Sequence, residues 1–200
     1  MNHIYDLPKH YMFLRKLIEG GLKHLAVLGS VHEIGFFEGS VDENTPTYPQ
    51  SLYGISKNAL RQMAELLTKD TDVCLQWIRG FYIVGNTHSG NSVFSKITQA
   101  EEQKIKEFPF VSGINQFDFI DYDEFCTQVA TTIMQEKITG IINCCSGRPE
   151  RLSDRVERFI KDNNYSIKLV YGAFQERPYD SKAIWGDSTK IDKIMKEGIW

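Results

Sequence analysis

The chain alternates short apolar runs with segments whose apolar residues recur at helical spacing. Strands that are covered on both faces read as continuous apolar runs, and runs of this kind lie at 24–29, 73–84 and 139–145. Spacings of three and four predict helices, here at 9–19, 53–69, 92–104, 123–135 and 152–163. Shorter extended pieces are expected at 108–113, 117–121 and 166–171. Residues 172–200 are expected to be irregular, with a last helical turn near 187–195.

Strands that alternate with helices predict an α/β fold with a parallel sheet. We expect a partial Rossmann-type parallel sheet with a smaller C-terminal lobe. A Rossmann domain opens on a strand and a glycine-rich G-x-x-G-x-x-G turn, and these 200 residues contain no such turn. We therefore expect the N-terminal glycine-rich half to be absent from this chain.

Composition and charge narrow the possible partners. The net charge is −3, so nothing indicates a basic surface for nucleic acid or anionic membrane. No apolar run reaches the roughly 18 residues that a membrane-spanning helix needs. The cysteines, Cys74, Cys126, Cys144 and Cys145, lack metal-knuckle spacing and favour reduced thiols in a cytoplasmic protein. His32-Glu33 has no second ligand pair at suitable spacing, so we expect no metal site.

Tyr53 and Lys57 are the first candidates for chemistry, because a spacing of four places both on one face of a helix. A lysine ammonium beside a phenol favours the phenolate. Such a tyrosine can exchange a proton with a hydroxyl or carbonyl while a hydride moves to or from a nicotinamide. Tyr5 and Lys9 share the spacing, so the alternative is an aromatic beside a solvated lysine. Only Tyr53 begins a helix after a turn-rich loop and a strand that leads into Ser30.

The order of the motifs extends this argument along the chain. LAVLGSVHEIG at 25–35 and DENTPTYPQSLYGISKNALR at 42–61 resemble the strand, Ser/Thr, acidic-proline loop and Tyr-x-x-x-Lys helix of extended short-chain dehydrogenases. Further segments resemble later parts of that family in the same order: Arg79–Gly85, Asp118–Asp121, Ile142–Gly147, Arg177–Asp180 and Asp187–Lys190. The chain is therefore similar to the C-terminal two-thirds of a nucleotide-sugar-modifying member of the NAD-dependent epimerase/dehydratase family.

The resemblance implies a role for each candidate residue. Ser30, Tyr53 and Lys57 would be catalytic, with Ser30 also orienting the substrate. Tyr53, Lys57 and Phe81 would contact the cofactor, NAD or NADP. Asn91 and Arg177 would join Ser30 in binding the substrate. The residues themselves leave three alternatives open: a strand-end turn serine, a helix N-cap at Asn91, and a surface pair of Arg177 with Asp180.

The resemblance also implies the substrate and the organisation of the chain. The substrate would be a nucleoside-diphosphate sugar of the kind used for surface polysaccharides, while epimerisation, dehydration and reduction remain open. Residues 1–85 would form the second half of the dinucleotide-binding domain. Residues 86–200 would form mainly the substrate lobe, with 117–145 returning to the sheet. We expect a homodimer or larger homo-oligomer that buries the predicted helices 9–19 and 53–69, the unpaired edge of the sheet, or both, and Leu14→Glu is the probe of the helical surface.

Three positions depart from the family pattern. Tyr82 stands where the family often has asparagine, and Phe117 stands where it often has arginine; both positions commonly help to hold the diphosphate. Glu33-Ile34-Gly35 replaces the usual Val-Tyr-Gly, which indicates a divergent subgroup. Without the glycine-rich turn we expect weak or undetectable NAD(P) binding to these residues alone. The alternative function is a non-catalytic truncated remnant or assembly partner.

Overall fold

The computed structural model describes residues 3–175 and 180–197. The helices in this described part are α1 His3–Glu19, α2 Leu52–Thr68, α3 Val93–Glu102, α4 Tyr122–Ile133, α5 Leu152–Asp162 and α6 Thr189–Glu197. The strands are β1 His24–Ser30, β2 Gly39–Val41, β3 Cys74–Gly80, β4 Tyr82–Val84, β5 Glu107–Pro109, β6 Gln116–Asp121, β7 Gly140–Cys144, β8 Pro149–Arg151, β9 Lys168–Val170 and β10 Ala183–Gly186. A short 3₁₀ turn spans Val31–Glu33. The expected α/β class with parallel strands is confirmed.

The first sheet contains β1, β3 and β7 in the order β1-β3-β7, and both strand pairs are parallel. Successive strand residues point to opposite faces. On one face, Trp77 of β3 lies in an apolar cluster with residues of α1 and α2. On the other face, Ile78 lies in a second cluster that includes Ile191 and Ile194 of α6. The middle strand β3 is thus covered on both sides, and the ends of β1 and β3 meet at one edge, where Ser30 pairs with Gly80.

The second sheet has the order β2-β10-β6-β4, with β8 added antiparallel to β6. The apolar run 73–84, expected to be one strand and the turn leaving it, instead supplies two strands, because β3 ends at Gly80 and β4 pairs with β6. Phe81 between them is buried in the core. Within 117–145, β7 pairs with β3 of the first sheet, whereas β6 belongs to the second sheet. A separate two-stranded sheet joins β5 and β9.

Two segments differ from the sequence prediction. α1 begins at His3, well before the predicted start at residue 9. The tail, expected to be irregular before a helical turn, contains β10, which inserts between β2 and β6 and buries Ile184. A strand of four residues is too short to show a periodic pattern in the sequence, so β10 is recognised only by its pairing with β2 and β6. None of the helices within the described residues is both long and apolar enough to cross a membrane.

Candidate active site

Ser30 ends β1 and begins the 3₁₀ turn that follows. Its side chain is buried, and its Oγ accepts a hydrogen bond from the His32 N–H at 3.3 Å. The strand leaves no room for a side chain just before it, since a Cβ on Gly29 would lie 2.1 Å from Trp77 Nε1. Ser30 is thus a strand-end serine in a turn, as one alternative held, and it also lies beside residues that line a cleft.

Tyr53 and Lys57 occupy one side of the first turns of α2. Ser51 begins this helix, because its side chain accepts the Gly54 N–H at 3.1 Å. The Lys57 Nζ lies 6.0 Å from the centre of the Tyr53 ring and donates to the Leu28 carbonyl of β1 at 2.8 Å. Burial lowers the pKa of Lys57, and the negative charge of Glu33 opposes that shift. The helix therefore holds a phenol and a half-buried ammonium together, as the spacing predicted.

A cleft of about 460 Å³ opens beside Tyr53. The His32 ring lies between two phenols, with centroid distances of 5.8 Å to Tyr53 and 6.1 Å to Tyr82. Gln50, Ser51, Phe117, Asp180 and Ser181 also line this space. An adjoining cleft of about 360 Å³ shares His32, Tyr82 and Phe117 and continues to Ser92, Val93 and Leu152. Together they form an elongated groove from Tyr53 to the start of α3.

The wall of this groove is aromatic at the two positions that depart from the family pattern. Tyr82 and Phe117 pack with their ring centroids 4.6 Å apart, and Phe119 lies 5.9 Å from Tyr82. Burial raises the pKa of Tyr82, and the nearby Asp180 adds to this shift. A neutral phenol and a phenyl ring thus stand where an amide and a guanidinium were expected, and Phe119 packs against the phenol.

The remaining predicted site residues are Phe81, Asn91 and Arg177. Phe81 is buried and lines the apolar part of the groove. Asn91 is exposed and precedes the helix, while Ser92 caps α3 by accepting the Ser95 N–H at 3.1 Å. The alternative that Asn91 is the N-cap is therefore wrong, because the cap lies one residue later. Arg177 lies outside the described residues.

Glu33 lies beneath this site, and the sequence alone did not predict its contacts with the site residues. Its side chain is completely buried, and its Oε1 accepts the Ser30 N–H at 2.6 Å. The Trp77 indole N–H lies 3.0 Å from both carboxylate oxygens. A glutamate inside an otherwise apolar stretch, where the family has valine, was the available signal. Only the fold brings its partners to it.

Comparisons with known proteins agree with these motifs. The model of the NAD dependent epimerase/dehydratase family matches residues 12–145. A dTDP-6-deoxy-L-talose 4-dehydrogenase (NAD(+)) of Aggregatibacter actinomycetemcomitans is 41% identical over 186 residues, which cover 92% of this chain and 68% of that protein.

Solved structures show the same fold. A dTDP-glucose 4,6-dehydratase from Streptomyces venezuelae with NAD bound matches with a TM-score of 0.79 at 15% identity, over 96% of this chain and 59% of its own. A UDP-glucuronic acid 4-epimerase from Bacillus cereus, in complex with UDP-glucuronic acid and NAD, matches with a TM-score of 0.77 at 18% identity, over 96% and 62%. The chain thus spans less than two thirds of these structures, and the expected partial Rossmann-type fold is confirmed.

Proposed function

The chain belongs to the NAD dependent epimerase/dehydratase family, and from that premise we propose that it takes part in NAD-dependent hydride transfer at a carbon of a nucleoside-diphosphate sugar. The observation that carries the proposal is the Tyr53–Lys57 pair, whose tyrosine lines the groove. The relative at 41% identity is a 4-dehydrogenase, so we assign the reaction to C4 of a dTDP-6-deoxyhexose. Oxidation of a C4 hydroxyl to a ketone, and its reversal, need one hydride and one proton.

The proton is the part of this reaction that the chain's own residues handle. In the oxidative direction the Tyr53 oxygen accepts the proton of the sugar hydroxyl, and in the reductive direction the phenol returns it. Lys57, one helical turn further along α2, assists this transfer through its positive charge. The Ser30 hydroxyl orients the sugar oxygen. NAD, when bound, takes up or gives back the hydride.

The donor set around Tyr53 fits the nicotinamide end of such a cofactor. Lys57 spends one N–H on the Leu28 carbonyl and keeps two for ribose hydroxyls. Tyr53 and Phe81 complete the proposed cofactor contacts. The pyrophosphate is normally held at a glycine-rich turn, which these 200 residues do not contain. We therefore assign residues 1–85 to the nicotinamide side of the dinucleotide domain and 86–200 mainly to the substrate lobe.

The groove supplies space for the sugar nucleotide. We place the hexose beside Tyr53 and His32 and the nucleotide towards Ser92 and Leu152, along the aromatic wall. Asn91 and Arg177 are the proposed contacts to the diphosphate. A substrate of this class fits the synthesis of surface polysaccharides, and both it and NAD fit a cytoplasmic location.

A homodimer formed through α1 and α2 is part of the same proposal. Leu14, the probe that the sequence favoured for this face, is buried in the core instead. Its neighbour Phe13 is 61% exposed. The large exposed apolar side chains on these two helices are Ile4, Tyr5, Met12, Phe13, Leu52, Ile55 and Leu66. Apolar side chains concentrated on two adjacent helices favour a protein partner, and a second copy presents the same surface.

A second candidate is a non-catalytic remnant or assembly partner. The observation in its favour is the lack of a glycine-rich turn in these 200 residues. It predicts no turnover and no dinucleotide binding. The first candidate predicts turnover of the nucleotide sugar and binding of the dinucleotide, although binding through the nicotinamide end alone should be weak.

The deciding experiment follows NADH absorbance with dTDP-6-deoxy-L-talose and NAD. Tyr53→Phe removes the proton-carrying oxygen and keeps the ring, so the rate should fall about 100-fold or more. Tyr48→Phe is the matched control, because this tyrosine is 70% exposed on the preceding loop and should keep the wild-type rate. A Tyr53→Phe protein with wild-type activity would remove Tyr53 from the acid/base role. No turnover and no NAD binding by calorimetry in the wild type would favour the remnant.

A further inference from the structure

Glu33 lies at the junction of three elements that build the candidate site. It ends the 3₁₀ turn after β1, and its Oε1 accepts the Ser30 N–H at 2.6 Å. Its Oε2 faces Arg61 Nε of α2 at 3.8 Å and Arg79 Nε of β3 at 3.7 Å. One carboxylate therefore contacts three elements. They are strand β1, which carries Ser30, helix α2, which carries Tyr53, and strand β3, the middle strand of the first sheet.

Burying the charged groups of Glu33 and Arg79 is unfavourable unless hydrogen bonds or opposite charges replace the water around them. Glu33 and Arg79 are almost completely inaccessible, at 0% and 1% exposure. Arg61 Nε and Arg79 Nε have no hydrogen-bond partner within the described residues, and the Glu33 carboxylate faces both at ion-pair distance. A valine would offer no acceptor to the Ser30 and Trp77 N–H groups, so packing alone does not account for a glutamate.

We propose that Glu33 is a positioning residue that fixes Ser30 relative to the helix of Tyr53 and Lys57. The proposal rests on the proposed function, since it assigns Glu33 a part in the same reaction. Arg61 follows Lys57 by one helical turn, so the link from Glu33 to Arg61 holds α2 one turn away from Lys57. The link to Ser30 holds the turn that presents the Ser30 hydroxyl and His32. Loss of either link lets the two halves of the catalytic set move relative to each other.

Glu33→Gln tests this idea because it keeps the size of the side chain and removes its charge. A misplacement of about 1 Å can cost about 100-fold in rate, so we expect kcat to fall about 10-fold to 100-fold while KM for the nucleotide sugar changes less than about threefold. Glu65→Gln is the matched control. It removes the other carboxylate that pairs with Arg61, at 2.7 Å, from a side chain that is 41% exposed, and should leave kcat within about twofold.

A double-mutant cycle separates positioning from a purely structural role. If Glu33 acts through Ser30, Glu33→Gln should cost less than about threefold in a Ser30→Ala background, because the hydroxyl that it positions is gone. An equal loss in both backgrounds would overturn the proposal. If Glu33→Gln does not fold, Glu33→Asp replaces it in the cycle. This variant keeps the charge but draws the carboxylate back from Ser30, and the same two outcomes decide.

Hydrogen exchange provides a readout that does not depend on turnover. Glu33→Gln should accelerate amide exchange in residues 29–35 and in the first turns of α2, and leave β7 unchanged. Unchanged exchange at 29–35 would overturn the positioning role even if the protein is active. A wild type that turns over no nucleotide sugar, combined with the localised acceleration, would sink the proposed function while keeping Glu33 as the residue that orders this turn.

Discussion

Asp118 offers a stability test that needs no assumption about activity. Its side chain is completely buried on β6. Oδ1 accepts the Ser146 N–H at 2.8 Å and the Ser146 hydroxyl at 2.7 Å. Oδ2 accepts the Gly147 N–H at 2.9 Å and the Gly186 N–H at 3.0 Å. Asp118 therefore ties β6 to the turn after β7 and to the end of β10.

Asp118→Asn keeps the shape but replaces one acceptor by an NH₂ group. With the NH₂ group towards Gly147 and Gly186, two backbone N–H groups face another donor. With it towards Ser146, the hydroxyl can turn to accept, and only the Ser146 N–H faces a donor. The second orientation is the less costly one, and a buried donor that loses its partner costs about 1–3 kcal/mol, so the free energy of unfolding should fall by about 1–3 kcal/mol. That is a large share of the roughly 5–15 kcal/mol by which domains are stable.

Urea denaturation followed by circular dichroism measures this loss. With a slope of about 2.5 kcal/mol/M, the midpoint should fall by roughly 0.4–1.2 M at an unchanged slope. Asp70→Asn is the matched control, because this aspartate is exposed and should change stability by less than about 0.5 kcal/mol. A loss below about 1 kcal/mol for Asp118→Asn would refute the reasoning, since it would mean that the four hydrogen bonds do not depend on the carboxylate.

Two further predictions concern association and pH. Phe13→Glu should convert a dimer to a 23.0 kDa monomer in sedimentation equilibrium without unfolding it, and a wild type that already sediments as that monomer would contradict the proposed interface. Glu101 accepts hydrogen bonds from the backbone N–H groups of Ser166 and Ile167, and these bonds lower its pKa below the usual 4.5. A lowered folded-state pKa stabilises the protein above the unfolded value, so Glu101→Gln should lower the melting temperature at pH 7, and the difference should shrink as the pH falls below about 4.5. A difference that is independent of pH would show that the charge of Glu101 is not what matters.

Local spacing in the sequence determined the parts of the site that lie on one element. Tyr53 and Lys57 share a helical face because four residues complete about one turn, and no long-range contact is needed to bring them together. The apolar run at 139–145 determined strand β7, whose residues are buried on both faces. The run at 24–29 likewise gave strand β1, although Leu28 is 49% exposed on one face. The ordered motifs added the family, which the comparisons show.

Tertiary structure decided what depends on neighbours that are distant along the chain. β10 is a strand because it pairs with β2 and β6 on either side, not because its four residues carry a pattern. The run at 73–84 divides after Gly80 because β4 finds its partner in β6. Glu33 stood out in sequence only as a departure from the family pattern. Its importance follows from burial, which removes water and leaves Ser30, Trp77 and two arginines as the groups around its charge. The periodicity of the sequence cannot predict this convergence, because the partners lie on different elements of the fold.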